Sequence, residues 1–160
     1  SSSPRAGHAG CQRRRSRHER SARGCGKKLT KALVWLIEDG PIVARYGDGT
    51  IPEWDWEAQD AAGRRVIVEE AWRTQWRCWH ELAGSRRYTL DVYGGGLGAI
   101  RGVSKPLSLS VLDIIAWCNA YGLSDDARHF TIHLVQAMDR TFIEIRSAQI
   151  KADLAQTFRK

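Results

Sequence analysis

The sequence predicts a mainly α fold: one small helical domain over residues 29–160, a short β-hairpin near residues 41–58, and a disordered basic tail over residues 1–28. Three observations predict it. Residues 107–145 read as two capped helices joined by a tight turn, residues 66–83 repeat aromatic side chains at helical spacing, and residues 1–28 contain no Val, Leu, Ile or Met. A segment without such side chains cannot offset the entropy lost on ordering.

The helical pair is the best-specified stretch. Ser110 can accept hydrogen bonds from first-turn amides, Asp113 can reach back to complete a capping box, and Leu109 and Ile114 have the spacing of a hydrophobic staple. The helix VLDIIAWCNAY then meets Gly122, which tolerates the left-handed conformation of a helix exit, so that Leu123 folds back onto Trp117 or Cys118. Ser124 caps the second helix, and Asp125 and Asp126 sit at its positive end. Leu134, Ala137, Met138, Thr141, Phe142 and Ile145 share one face. A last helix over 148–158 either stands alone or continues that one.

Earlier in the chain, KALVWLIE (31–38) suits a helix or a buried strand equally. IVARY, GDG and TIPEW make up the expected hairpin, with Asp48-Gly49 in its turn and Trp54 and Trp56 on one face of an extended segment. From Val66 to Ala83 the period becomes helical: Val68, Trp72, Trp76 and Trp79 fall on one side, with Glu69 and Arg73 at i, i+4 on a flank. Such a stripe is most simply core, its alternative being a partner interface, where Trp and Arg are enriched among anchors. Gly84 closes the helix. The following SRRYTLDVYGGGLGAIRGVSKP, with five glycines between Tyr93 and Val103, is expected to turn often and to add little stable structure.

Charge is unevenly divided. The formal net charge is +7, but residues 1–28 hold nine Lys or Arg and one Glu; the remainder has 16 basic and 17 acidic residues, a net −1. Any attraction to nucleic acid therefore rests on the first 28 residues, chiefly Arg13, Arg14, Arg15, Arg17, Lys27 and Lys28. The same segment also reads as a solvated tail, or as a stretch not translated in this frame. It has no apolar centre of the kind a secretory signal requires. The longest apolar run, Ala32 to Ile37, has six residues, far short of the ~20 that cross a bilayer. Cys11, Cys25, Cys78 and Cys118 show no metal-type spacing, which fits reduced thiols and a cytoplasmic protein.

Motifs that could carry chemistry are few. Gly94, Gly96 and Ala99 match G-x-G-x-x-A, but Lys105 and Pro106 intervene before any helix, so a dinucleotide site is rejected. His129 and His133 stand one helical turn apart, yet Phe130 replaces the glutamate of a zinc hydrolase motif and no third ligand is suggested. Cys78 and His80 point in different directions on a helix. Asp125 and Asp126 are explained by capping, and Asp139 and Arg140 read as solvent charges. No catalytic residue, metal or cofactor is implied.

Three segments, EEAWRTQWRCWHELAGSR, GGGLGAIRGVSKPLSLSVLDIIAWCNAYGL and HLVQAMDRTFIEI, together resemble small tail assembly proteins of long-tailed bacteriophages and prophages, encoded ahead of the tape-measure protein and often called tail assembly chaperones. The shared order is an aromatic helix, an Arg- and Gly-bearing loop, a Pro-Leu start, an I-x-x-W helix ending in Gly-Leu, and a Met-Asp-x-x-Phe helix. The likeness covers about residues 66–145 and leaves out the Trp54/Trp56 region. It implies a non-enzymatic partner of tape-measure and tail-tube proteins in the bacterial host cytoplasm. For such a role Trp72, Trp76, Trp79, Trp117 and Phe142 are the candidate contact residues. Proteins of this kind are commonly made by ribosomal slippage, and Gly26-Lys27-Lys28 can be encoded by a slippery run, which would place residues 1–25 upstream of a frameshift or in a false frame; a nucleotide sequence without such a run there would remove the idea. Two competing expectations remain: a helix-turn-helix nucleic-acid-binding protein anchored by its basic arm, and a zinc enzyme built on His129 and His133.

Overall fold

The structure, a computed structural model, describes residues 17–94 and 100–157, and side-chain environments from residue 26 onward. Its elements are α1 (Arg17–Glu38), α2 (Gly40–Ala44), α3 (Trp56–Gly63), a 3₁₀ turn (Glu70–Trp72), α4 (Arg73–Gly84), β1 (Tyr88–Tyr93), β2 (Arg101–Pro106), α5 (Val111–Ala120) and α6 (Asp125–Thr157). The mainly helical class is thus observed, with one two-stranded antiparallel hairpin among the described residues.

KALVWLIE is helical because Leu29, Ala32 and Leu33 bury one stripe of α1 against α6. The space beside Gly26 is already close to Leu134, whose Cδ2 lies 3.6 Å from where a Cβ would stand. The boundary placed at residue 28 therefore falls inside a helix, while residues 1–16 of the expected tail lie outside the described residues.

The hairpin is displaced from its expected position. Over 41–58 the chain forms α2, a turn and the start of α3, because Pro41 suits a first helical turn and Asp55 caps α3 by accepting the Ala58 amide at 3.1 Å. The strands lie instead at 88–106, where the glycines pointed to little structure. YTLDVY alternates β-favouring residues, and it pairs in register from Tyr88 with Pro106 to Tyr93 with Arg101. Asp91 accepts from Lys105 across the ladder. The aromatic helix begins later than its periodicity suggests, residues 66–69 being non-helical and the 3₁₀ turn leading into α4.

The α5–α6 pair follows the expected chemistry closely. Ser110 Oγ accepts from the Leu112 amide at 3.2 Å, although Asp113 makes no return bond among the described residues. Gly122 has φ +65°, and Leu123 N–H donates to Cys118 O at 3.0 Å while Gly122 N–H donates to Asn119 O at 3.1 Å, the two bonds of a Schellman exit. Ser124 begins α6, which runs unbroken for 33 residues. Leu29, Leu33, Cys78, Trp79, Ile114, Trp117, Cys118, Leu134, Val135 and Met138 form one core from four helices.

Candidate functional site

The structure puts the five candidate contact residues in or against that core. Trp79 and Trp117 are buried; Trp72, Trp76 and Phe142 are half-buried against the same cluster. Helix α4 is contacted by both α5 and α6, which cover Trp79 and part of Trp72 and Trp76. Trp79 meets Phe142 and Trp72 meets Phe130, each with ring centroids 5.6 Å apart. Trp117 Nε1 donates to Glu81 at 2.7 Å, and Arg77 donates to the same carboxylate at 2.6 Å. The Trp117 indole first, then Arg77, hold the Glu81 carboxyl below its ordinary range.

The groups with chemical potential do not converge. His129 and His133 are exposed, and no set of three or more His, Cys, Asp or Glu that could hold a metal occurs among the described residues. His133 borders an open groove of about 550 Å³ between α1 and α6, together with Lys27, Arg140 and Glu144, but His129 does not line it. Burial pushes the Cys78 thiol up to about 12, with Cys118 and then Glu81 adding to the shift, so it remains protonated and inert. His80 lies edge-on between Trp76 and Trp79, and burial lowers its pKa. The glycine motif at 94–99 falls largely outside the described residues. Of the basic candidates, Arg13, Arg14 and Arg15 also lie outside; Arg17 opens α1, Lys27 lines the groove, and Lys28 pairs with Glu69 at 2.5 Å.

Asp139 is a further correction. It is buried rather than solvated, paired with the buried Arg86 and accepting the Leu109 amide at 2.9 Å. Arg86 also donates to Leu107 O at 2.7 Å and stacks over Phe142 with its guanidinium carbon 4.5 Å from the ring centroid. This network clamps the loop between β2 and α5 onto α6. Nothing in the dipeptide Arg86-Arg87 distinguishes the buried arginine from its exposed neighbour, so sequence reasoning had no signal for it.

The apolar surface left open lies elsewhere. On β1, Tyr88, Leu90 and Val92 alternate outward and are 56%, 71% and 63% exposed, whereas Thr89, Asp91 and Tyr93 are half-buried on the opposite face. Across the ladder the outward positions are Pro106, Ser104 and Gly102, too small to shield the row. Leu107, joined to the strand end by its N–H donating to Arg87 O at 2.9 Å, and Val111 and Leu112 at the start of α5 are also exposed. The glycine-rich segment was expected to add little stable structure; it forms this strand instead, and its apolar row faces solvent. No helix among the described residues is long and apolar enough to cross a membrane. Comparison with known proteins finds no family, no curated protein and no solved structure that the chain matches.

Proposed function

We propose that this chain is a non-enzymatic, chaperone-like binding protein of the kind its resemblance implies, covering apolar surface of a tape-measure protein and helping tail-tube subunits assemble around it. One observation carries the reading: the outward row Tyr88, Leu90 and Val92, an apolar strand face left uncovered among the described residues. A long helical client presents an apolar stripe that aggregates until its own assembly partners cover it, and a strand face of large side chains can hold such a stripe by area alone. The contact residues are therefore the hairpin row, with the α4 tryptophans acting as the core beneath the scaffold.

Light scattering of a tape-measure protein with and without the chain tests the proposal. The expected result is that the chain keeps the client soluble and that Leu90→Asp weakens this; unchanged client solubility in the presence of the wild-type chain overturns it. The nucleic-acid alternative is favoured only by the charge of residues 1–28, and Asp125 and Asp126 at the start of α6 would repel phosphates. Filter binding at rising salt separates the readings, since arm-driven binding fades steeply with salt.

A further inference from the structure

We propose that Trp54 and Trp56 form a docking site for the basic N-terminal segment of a second copy of this chain, giving head-to-tail association. The inference does not depend on the client-binding reading, which uses the hairpin. Trp54 and Trp56 are 78% and 76% exposed, and neither indole makes a hydrogen bond or ring contact among the described residues. They stand on a braced frame: Tyr46 OH donates to Asp55 at 2.5 Å, the Ala58 amide donates to the same carboxylate, and Gln59 Nε2 donates to Ile51 O at 2.7 Å. The backbone that carries the indoles is thus held in place, so a partner that covers them need order only the two side chains.

The charge around them specifies the partner. Between Tyr46 and Gly63 there are five acidic residues and no Lys or Arg. Asp48, Glu53 and Glu57 are exposed and make no ion pair among the described residues, whereas Asp60 is paired with Arg64. Exposed indoles flanked in sequence by Glu53 and Glu57 suit guanidinium groups, which can stack on the ring while pairing with the acids. The chain carries such a segment in Arg13, Arg14, Arg15, Arg17, Arg20 and Arg23.

The segment and the region that carries the tryptophans are tied to opposite ends of α1. The 39–64 region is tied to the C-terminal end of α1, through Trp35 Nε1 donating to Ala61 O at 2.7 Å and Arg64 pairing with Asp39 at 2.9 Å. Arg17 opens the other end of this 22-residue helix, about 33 Å away. Even fully extended, the four residues from Arg13 to Arg17 span at most about 14 Å. That separation favours a contact between copies, and because the two patches differ it is heterologous, able to propagate beyond a dimer.

Sedimentation velocity of the full chain tests this. The wild type should associate at low salt and dissociate as salt rises. Trp54→Ser with Trp56→Ser, and separately Ser at positions 13, 14, 15 and 17, should each weaken association by about tenfold or more. Mixing the two variants should restore a dimer and nothing larger, because each retains one intact patch. Glu53→Lys with Glu57→Lys provides a loop variant that keeps both indoles and should lose association equally. A wild type that stays monomeric at low salt, association that survives both loop variants, or association lost only with Leu90→Asp overturns the proposal.

Discussion

Trp79 and Trp117 lie in the core, whereas Trp54 and Trp56 stand almost entirely in solvent. The residue type is the same, so hydrophobicity alone does not decide where an indole goes. Trp79 recurs with its neighbours at helical spacing, and two other helices close over that face. Trp54 and Trp56 straddle a capping aspartate, with carboxylates on both sides in the sequence, and covering them within the chain would desolvate those acids too. Aromatic residues on a periodic face become scaffold, and aromatic residues among acids at a helix start become surface.

The strongest way to break this contrast is to open the core. Trp79→Ala should cost about 3–5 kcal/mol in urea unfolding, through lost burial and the cavity left behind. Asp139→Ala should cost a similar ~3–5 kcal/mol by leaving Arg86 charged and unpaired in the interior. A cost below about 1 kcal/mol at either position would mean that the covered face is not what holds the domain together.

Alkaline titration sharpens the same boundary. The Cys78 thiol has its pKa raised from 9.0 to about 12, so its contribution is full below pH 9 and is lost as the pH climbs toward 12, where the unfolded chain gains stability by ionising first. Stability should therefore fall across that interval, and a Cys78→Ala variant should show a shallower fall. Thiol reagents at neutral pH should label neither Cys78 nor Cys118 until the chain unfolds, both being buried.

Smaller effects belong to the helix ends and the surface. Gly122→Ala, at φ +65°, should cost about 1 kcal/mol, read as a lower thermal midpoint. Trp54→Ala and Trp56→Ala should each change stability by no more than about 0.5 kcal/mol while altering association, which a structural role for these indoles would not allow.

Much of this architecture is legible without coordinates. The Ser110 cap, the Gly122 exit, the Ser124 start and the apolar stripe of α6 are local signals, each needing only a few neighbouring residues to have its effect. YTLDVY shows why legibility stops: its alternation identifies a strand, but five glycines beside it argued for loop, and nothing local says which face the domain covers. IVARY and TIPEW erred the other way, since β-like composition without a partner strand yielded to Pro41 and the Asp55 cap.

The chain's own order of residues determined the helical class, the helix ends and the amphipathic stripes, because propensity, capping and periodicity act over one or two turns. Tertiary packing alone decided that the tryptophan stripe is core, that Asp139 is buried on Arg86 and not solvated, and that Tyr88, Leu90 and Val92 face outward. Those outcomes depend on which distant surfaces meet, and burial is a property of the pair of surfaces that close on each other rather than of either sequence segment alone.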